Sequence, residues 1–360
     1  MENFKHWLPD GWLLLCYLLA GALSLVVLTS ISPDRVLQQG IMFGLGLILF
    51  VYLGRQDSAV FKTFAPIGYI LALVLLLATF IFGSSIRGSV RWIPLFGFQL
   101  QAGEFAKPLL VLAFAYFLGL FPPKNLRNIL LNTLIFIIPT FLIFKQPDLG
   151  TALVISSIWV AQIFVAGLSS WFILAVTGFL AIFTEYLPRF LHDYQLKRLE
   201  TFIDPYRDPL GAGYNVIQSI IAVGSGGIFG KGLGHGTQSH LRFLPERHTD
   251  FIFASLAEEL GIAGSLLVIF CLGGLLYRLL HLATHSHSDS SRLIYVGIFG
   301  YLFFQVFINI GMNIGVAPVT GVTLPLISYG GSSVLATAIT LGIAASIARS
   351  DHQRTLIEIK

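Results

Sequence analysis

Long apolar runs recur along the chain and are separated by short polar segments. A hydrocarbon core about 30 Å thick needs about 20 apolar residues for each helix that crosses it. Runs that meet or approach that length span 11–31, 36–53, 60–83, 104–121, 129–144, 149–168, 170–187, 251–280, 293–316 and 325–348. The run 129–144 is short and contains Pro139, so it matches the pattern of a membrane span less well than the other runs.

This pattern predicts an all-α polytopic membrane protein with ten transmembrane helices and a large extracytoplasmic loop between helices 7 and 8. Blocks of alternating apolar and polar residues, which are typical of barrel strands, do not occur in the sequence. The first run is too long for a signal peptide and lacks a small-residue cleavage site, so we interpret it as a retained helix. Residues 1–360 are predicted to form a single integral membrane domain, in which the loop 188–250 carries short amphipathic or re-entrant helices.

The composition supports a protein whose main solvent is lipid. Apolar residues make up 55% of the chain and charged residues only 11%, whereas soluble domains carry about 25% charged residues. This shortage of charge excludes an ordinary soluble domain and a disordered chain. The net charge of +4 is small, so no nucleic-acid partner is expected.

The distribution of Lys and Arg predicts the orientation of the chain, because these residues favour cytoplasmic loops. With the N-terminus inside, the inner segments carry Lys5, Arg55, Lys62, Lys124, Arg127, Arg278, Arg292, Arg349, Arg354 and Lys360. The short outer loops carry only Arg35, Arg87, Arg91 and Lys145. The loop 188–250 is long enough to escape the rule. Both termini are therefore predicted to be cytoplasmic, and this loop extracytoplasmic.

Asp250 is the last polar residue before the apolar run 251–280. One interpretation is a helix N-cap, because an Asp in that position accepts hydrogen bonds from backbone N–H groups. The other is a general base at the boundary between lipid and water, where partial desolvation raises the pKa of a carboxyl group. The two roles can coexist in one residue.

Other ionisable residues beside the apolar runs also admit two interpretations. Glu104 and Lys107 are spaced i, i+3, which indicates a self-neutralising pair or a polar seam in which Lys107 holds an anionic group. Asp148 lies in a tight turn, where a helix cap is favoured over a substrate contact. Of Glu258 and Glu259, at least one must face the bundle interior, and a structural, hydrogen-bonded acid is the favoured interpretation.

The glycine-rich stretch 224–236 matches neither of the common phosphate-binding loops. A Walker A loop would need glycine at Ser225 and a hydroxyl residue at Gly232, and a dinucleotide fingerprint would need glycine at Phe229. A tightly folded loop that approaches the membrane or a ligand stays open. The apolar stretch 214–223 before it is expected to form a re-entrant or interfacial helix.

Five blocks of residues resemble the SEDS family, whose members act in shape, elongation, division and sporulation. They are Gly236-Thr237-Gln238-Ser239 with Phe243-Leu244-Pro245-Glu246-Arg247-His248-Thr249-Asp250-Phe251-Ile252-Phe253; Arg91-Trp92-Ile93 with Glu104 and Lys107; Lys145-Gln146-Pro147-Asp148-Leu149-Gly150-Thr151; Tyr194-Gln195 with Arg198-Leu199, Phe202 and Asp204-Pro205; and Pro318-Val319-Thr320-Gly321 with Leu324-Pro325 and Ser328-Tyr329-Gly330-Gly331-Ser332-Ser333. The Arg247-His248 form resembles the RodA-like branch more than the division branch. One block departs from the family, which usually has Gln-Pro-Ser-Glu where this chain has Gln101-Ala102-Gly103-Glu104.

The resemblance implies a peptidoglycan glycosyltransferase for cell elongation and shape in the bacterial plasma (inner) membrane. Lipid II would be both donor and acceptor, and undecaprenyl pyrophosphate would leave as a β-1,4-linked strand grows. A class B penicillin-binding protein would be the membrane partner that supplies the transpeptidase. An inverting displacement is the simplest scheme, since an α-linked donor becomes a β-linked product.

With this resemblance, the site residues take roles. Asp250 would be the catalytic base. The expected substrate-binding residues are Glu104, Lys107, Arg198, Lys231, Glu246, Arg247, His248 and Thr249. The four cations among them are candidates for stabilising the pyrophosphate as it gains charge. A divalent cation such as Mg²⁺ or Mn²⁺ could share that task, although the sequence contains no metal-binding motif and no metal site is predicted.

Two alternative functions use the same topology. A lipid II flippase would also have many spans and buried charges, but it should show an access route from the cytoplasmic side and a polar site near mid-membrane. The sequence shows no clear internal repeat of the kind that many transporters have. A non-catalytic scaffold would recruit cell-wall enzymes without needing an acid and cations in a groove. The polar residues of this chain gather beside one predicted membrane face, which favours surface chemistry.

Overall fold

The computed structural model describes residues 10–86, 89–95, 98–169, 171–172, 174, 178, 193–241 and 243–358. The helices within these ranges are α1 (Gly11–Ile31), α2 (Val36–Gly54), α3 (Ser58–Phe82), α4 (Ala102–Leu120), α5 (Leu126–Lys145), α6 (Leu149–Val165), α7 (Asp193–Ile203), α8 (Tyr214–Ser225), α9 (Thr237–His240), α10 (Ile252–Thr284), α11 (Asp289–Asn313) and α12 (Gly331–Glu358). Short 3₁₀ turns cover Pro33–Arg35 and Pro205–Arg207. The strands are β1 (Ser84–Ile86), β2 (Ser89–Leu95) and β3 (Phe98–Gln101).

Among the described helices, α1 to α5 and α10 to α12 are long and apolar enough to cross a membrane. Helix α6 is also apolar but has only 17 residues. The prediction of an all-α polytopic membrane protein is therefore confirmed. The predicted seventh span, 170–187, falls almost entirely outside the described residues, so the count of ten spans stays a prediction.

The last helix begins at Gly331, whereas the apolar pattern predicted a span from residue 325. Residues 324–330 instead form a turn in which the backbone N–H of Leu324 donates to Ser328 Oγ at 2.9 Å. Leu326 adopts a left-handed backbone with φ of 61°, which a helix cannot include. The predicted start is wrong because an apolar composition alone does not distinguish a buried turn from a helix.

A three-stranded antiparallel sheet connects α3 to α4, although the sequence pattern predicted no strands there. In it, Trp92 of β2 pairs with Gln101 of β3, and β1 pairs with the other edge of β2. These strands are too short to show a clear alternation. The sheet brings Arg91 and Gln101 to the start of α6, where both contact Asp148.

Small residues permit α12 to lie deep within the bundle. Ala336, Ala338, Ala344 and Ala345 of α12 are all almost fully buried, and α12 packs most extensively against α2. Helices in a membrane gain little from apolar burial, so close approach of backbones and van der Waals packing hold them together. The result is a compact inner layer against which the functional loops are anchored.

Several helix ends meet on one face of the bundle, which we call the site face. Arg247 Nε donates to the carbonyl of Ile31 at the end of α1 at 3.0 Å. The N–H of Tyr329, in the turn before α12, donates to the carbonyl of His248 at 2.8 Å. The segments 31–35, 243–251 and 314–330 therefore belong to the same face of the protein. Residues 98–101 and 148–150 join them there, because the N–H of Gln101 donates to Ser332 Oγ and Gly150 lies against the carbonyl of Thr320.

The glycine-rich stretch forms a tight loop against a break in α10. The break is at Gly261, which has φ of 66°. Beyond it, the N–H groups of Ile262 and Ala263 donate to the carbonyls of Gly227 and Ile228 at 2.9 and 3.1 Å. A side chain at Gly261 would collide with the backbone of Gly230. The tightly folded loop that the sequence left open is present, and residues 214–223 form most of helix α8. The re-entrant or interfacial position of that helix stays a prediction.

Candidate active site

The residues Glu246 to Asp250 form a compact turn at the start of α10, which we call the 246–250 turn. Glu246 has φ of 53°, and its carbonyl accepts hydrogen bonds from the N–H groups of Thr249 and Phe251. The Thr249 hydroxyl donates to the Glu246 carboxylate at 3.1 Å. All five residues of the turn are half-buried, so the predicted stretch is presented as one unit at the site face.

The N-cap position of α10 is Phe251, so the prediction that Asp250 is the N-cap residue is wrong by one residue. A Phe side chain cannot accept a hydrogen bond from the helix. Instead, Asn313 of α11 supplies the acceptor, because its Oδ1 receives the N–H of Ala254 at 3.0 Å. An acceptor from another helix thus satisfies one of the orphan donors of the first turn.

The segment from Pro318 to Tyr329 lies against the 246–250 turn and anchors it. Ser328 Oγ donates to the carbonyl of Thr249 at 2.7 Å, beside the bond between Tyr329 and His248. Gly321 lies directly opposite the carboxylate, since a Cβ at this glycine would be 3.7 Å from Asp250 Oδ2. The carboxylate therefore lies between the start of α10 and this segment.

His248 is surrounded by residues that were not predicted from the sequence to belong to the site. The guanidinium of Arg35 lies over the ring of Tyr329, 4.9 Å from its centroid, and the rings of Tyr329 and His248 are 5.7 Å apart. The Tyr329 hydroxyl donates to Gln38 Oε1 at 2.6 Å. Burial, followed by the charge of Arg35, lowers the pKa of His248 to about 4. His248 is therefore a neutral imidazole at neutral pH.

The free energy of unfolding is expected to fall as the pH is lowered from about 6.5 to about 4. In this window the unfolded chain binds a proton at His248 whereas the folded chain does not. We expect a loss of about 1–2 kcal/mol, after allowance for the partial exposure of the ring. Unfolding of the detergent-purified protein should be measured across this range beside His248→Gln. An identical pH dependence in both proteins would contradict the prediction.

Lys231 lies on the glycine-rich loop and is paired with Glu258 of α10. Its Nζ donates to Glu258 Oε1 at 2.9 Å and to Thr237 Oγ1 at 2.9 Å. The Glu258 carboxylate is fully buried and also accepts from the N–H groups of Gln238 and Ser239. Lys231 is thus mainly a structural partner in this arrangement, and its role toward substrate stays a prediction.

Glu259 has a similar structural role. It is fully buried, and its Oε1 accepts from the Ser30 hydroxyl at 2.6 Å and lies 2.8 Å from His240 Nε2. This carboxylate joins the end of α1 to the glycine-rich loop. The interpretation of Glu258 and Glu259 as structural, hydrogen-bonded acids is confirmed.

Glu104 and Lys107 form a buried ion pair in the first turns of α4. Lys107 Nζ donates to Glu104 Oε2 at 2.6 Å, and the ammonium lies 5.4 Å from the ring centroid of Tyr301. The predicted self-neutralising pair is confirmed, although this chain has Ala102 and Gly103 in place of the usual family residues. A contact between Lys107 and an anionic group of a substrate stays a prediction.

Replacing Lys107 by Met is expected to lower the free energy of unfolding by about 3–5 kcal/mol, because it leaves Glu104 buried without a counter-charge. The double variant Glu104→Gln/Lys107→Met removes both charges and should recover most of that loss. Thermal unfolding of the three proteins in detergent measures the difference. If the double variant were no more stable than the single one, the ion pair would not be the source of the loss.

Asp148 caps α6 and connects this helix to the sheet. It accepts from Thr151 N at 3.1 Å and from Thr151 Oγ1 at 2.9 Å, and Arg91 Nη1 lies 3.2 Å from its Oδ1. The favoured interpretation as a helix cap is confirmed. The start of α6 packs against the segment that faces Asp250, since a Cβ at Gly150 would be 2.8 Å from the carbonyl of Thr320, the neighbour of Gly321.

The structure thus places the predicted site residues in three groups. The first is the 246–250 turn, the second is the buried pair on α4, and the third is Lys231 with Glu258. Arg198 is half-exposed on α7, which packs against the 3₁₀ turn Pro205–Arg207, and its place in a site stays a prediction. Within the described ranges, no three His, Cys, Asp or Glu side chains are arranged so that they could hold a metal ion.

Comparisons with known proteins agree with this arrangement. The model of the FTSW_RODA_SPOVE family, described as cell cycle protein, matches residues 12–353. The chain is 43% identical to the peptidoglycan glycosyltransferase MrdB of Escherichia coli K12 over 306 residues, which cover 84% of this chain and 82% of that protein. It is 37% identical to the probable peptidoglycan glycosyltransferase FtsW of Coxiella burnetii, over 95% of this chain and 96% of that protein.

Solved structures share the fold over nearly the whole chain. A chain of a peptidoglycan synthase complex, in which polymerization and crosslinking are coordinated, superposes with a TM-score of 0.84 at 38% identity, covering 96% of this chain and 99% of that one. The crystal structure of the rod shape determining protein RodA of Thermus thermophilus gives a TM-score of 0.73 at 32% identity, covering 96% and 98%. Together with the residues of the 246–250 turn, these likenesses establish that the chain belongs to the FTSW_RODA_SPOVE family of multi-pass membrane proteins.

Proposed function

We propose that this protein is a peptidoglycan glycosyltransferase that polymerises lipid II into β-1,4-linked glycan strands for cell elongation and shape. The observation that carries the proposal is the position of Asp250, a half-buried carboxylate in an anchored turn at the site face, beside the end of an apolar helix long enough to cross a membrane. A substrate with a lipid tail and a sugar head reaches a base only where lipid and water meet. The names of the relatives with the same fold support the same activity.

Asp250 would accept the proton of the acceptor sugar 4-hydroxyl as that oxygen attacks the anomeric carbon of the donor. The bond between this carbon and the pyrophosphate oxygen breaks, and undecaprenyl pyrophosphate leaves with the bonding electrons. One displacement inverts the configuration and converts the α-linked donor into a β-linked product. General base catalysis of this kind contributes about 10²–10⁴-fold to a rate.

The leaving pyrophosphate needs positive charge as the bond breaks. We propose that Arg247 contributes through the 246–250 turn, with Lys107, Arg198 and Lys231 as further candidates. Lys107 is paired with Glu104, and Lys231 is paired with Glu258. A substrate phosphate that binds either ammonium group would have to compete with this ion pair. Glu246, His248 and Thr249 would orient the acceptor or the base.

A divalent cation such as Mg²⁺ or Mn²⁺ on the pyrophosphate stays a prediction. The carboxylates of the described site already have partners in the protein, since Thr249 donates to Glu246 and Lys231 donates to Glu258. These residues do not form a dedicated metal cage. The mechanism proposed here therefore routes no step through a metal ion.

We further propose that a class B penicillin-binding protein is the membrane partner and supplies the transpeptidase. The likeness to one chain of a peptidoglycan synthase complex supports this pairing. We propose the bacterial plasma (inner) membrane as the location, with both termini in the cytoplasm, because Lys and Arg concentrate in the segments that this orientation places inside. The site face would then be extracytoplasmic.

Reconstitution with fluorescent lipid II in proteoliposomes tests the proposed function. Purified protein, alone and with a class B penicillin-binding protein, should convert lipid II into glycan polymer that separates by size on a gel. Transfer of lipid II between leaflets without polymer would instead indicate a flippase. Neither polymer nor transfer, under conditions where the folded protein binds its partner, would indicate a scaffold.

A further inference from the structure

Two buried asparagines lie in the last turns of helix α11. Asn309 and Asn313 are fully buried and are spaced one helical turn apart, so both amides lie on one face of the helix. A polar side chain inside a membrane-spanning helix is costly unless it finds partners, and it is a functional candidate by default. The partners of both amides lie at the site face.

The amides converge on the backbone that carries the proposed base. Asn309 Nδ2 donates to the carbonyl of Asp250 at 3.2 Å and to the carbonyl of Val322 at 2.7 Å. Asn313 Nδ2 donates to the same carbonyl of Asp250 at 3.1 Å, while its Oδ1 accepts from Ala254 N at 3.0 Å. One carbonyl thus receives two buried amide donors.

Asn309 connects two elements that face each other across the carboxylate. On one side is the backbone of Asp250, and on the other is Val322, the neighbour of the glycine that lies against Asp250 Oδ2. Asn309 is therefore the side chain that joins the backbone of Asp250 itself to the opposite wall, beside the bonds of Ser328 and Tyr329 to Thr249 and His248. Displacement of a reacting group by about 1 Å can cost about 10²-fold in rate, so the rigidity of this connection matters for a general base.

We infer that Asn309 is a positioning residue that acts through the backbone of Asp250 and holds the carboxylate against the segment around Gly321. Asn313 braces the same carbonyl and the first turn of α10. This inference rests on the proposed function, because it assigns Asn309 a part in proton abstraction. It assigns no contact with substrate to either asparagine.

Asn132 of α5 provides a matched control. It is 2% exposed, and its Nδ2 donates to two backbone carbonyls, those of Phe121 at 2.7 Å and Asn128 at 2.8 Å. These two donated bonds match in number and kind the two that Asn309 Nδ2 donates, and Asn309 Oδ1 accepts one further, long bond from Asn313 Nδ2 at 3.5 Å. Asn132 lies on α5, a helix that carries none of the predicted site residues. Its replacement therefore measures the loss of stability that follows from removing such bonds, without an effect on the site.

The test compares Asn309→Leu and Asn132→Leu, which remove the same kind of hydrogen bonds at similar side-chain volume. Initial rates of lipid II polymerisation should be measured in proteoliposomes over a range of lipid II concentration and pH, with melting temperatures recorded for both variants. We expect kcat of Asn309→Leu to fall about 10–100-fold, with KM changed less than about threefold and the midpoint of the acid limb of the pH profile displaced. Asn132→Leu should keep the wild-type kcat and pH profile despite a comparable loss of thermal stability.

Asn309→Asp, which keeps the side-chain shape but can donate one bond only when it is protonated, serves if the Leu variant does not fold, and its kcat should also fall. An Asn309 variant that folds and retains the kcat of Asn132→Leu, or whose loss lies wholly in KM, would overturn the inference. Wild-type protein that makes no polymer would refute the proposed function itself. The two failures are therefore distinguishable in one experiment.

Discussion

Asp250→Asn protein is expected to lose at least about 10²-fold of the polymerisation rate while it retains its fold and its partner. The amide has nearly the shape of the carboxylate but cannot accept the proton of the acceptor hydroxyl at neutral pH. Rates of glycan formation from labelled lipid II measure the loss directly. Among single substitutions in this chain, we expect this one to have the largest effect on activity.

The structure gives reasons why the fold should survive this substitution. The backbone of Asp250 is held by Asn309 and Asn313 through its carbonyl, which the substitution leaves unchanged. The first turn of α10 receives its cap from Asn313 rather than from Asp250. Loss of activity with an unchanged melting temperature would therefore report chemistry and not unfolding.

Asp34→Asn is the matched control for Asp250→Asn. Asp34 lies on the same face, and its side chain is 76% exposed, so the variant tests the removal of one surface carboxylate. We expect it to polymerise lipid II at the wild-type rate. Full activity of Asp250→Asn would remove Asp250 from the role of base, and an equal loss in both variants would indicate an effect of surface charge.

The composition of α10 shows what the sequence could and could not predict about the fold. The apolar run predicted the span, because about 20 apolar residues are the length that a helix needs to cross the hydrocarbon core. It did not reveal the break at Gly261, since a single glycine within a helical pattern is tolerated in many helices and does not by itself predict a break. In the last helix, the apolar residues 324–327 extended the predicted span, although Pro325 and Gly330 are residues typical of turns.

The site was predictable where its residues are close together in the sequence. The 246–250 turn is contiguous, and the pair on α4 has helical spacing, so pattern and resemblance together identified both. Arg35 and Tyr329 were not assigned to the site, because they reach His248 from distant parts of the chain. Nothing in their local sequence indicates that contact.

The spacing of Asn309 and Asn313 does indicate a polar site within a membrane span. Two amides spaced i, i+4 in an apolar run are costly in a membrane, and that cost alone should have made them candidates. What the spacing could not supply was the identity of their acceptors, the carbonyls of Asp250 and Val322. These backbone groups are positioned by tertiary packing and carry no side-chain signature.

Glu258→Ala is expected to lower the free energy of unfolding by about 3–5 kcal/mol, the largest stability effect that we predict for the loop before α10. The carboxylate is fully buried and accepts from Lys231 Nζ, Thr237 Oγ1 and the N–H of Gln238 through Oε1. Its Oε2 accepts from the N–H and the hydroxyl of Ser239. Removal leaves one ammonium and several buried donors without an acceptor.

Two further variants separate the charge of Glu258 from its shape and from a general effect of losing an acid. Glu258→Gln keeps one acceptor oxygen and should lose less stability than Glu258→Ala, because part of the network stays bonded. Glu200→Ala removes an exposed acid from α7. Its free energy of unfolding should lie within about 0.5 kcal/mol of that of the wild type. If Glu258→Ala were as stable as Glu200→Ala, the glycine-rich loop would be held by its backbone bonds to α10 alone, and Lys231 would be available for the pyrophosphate at no structural cost.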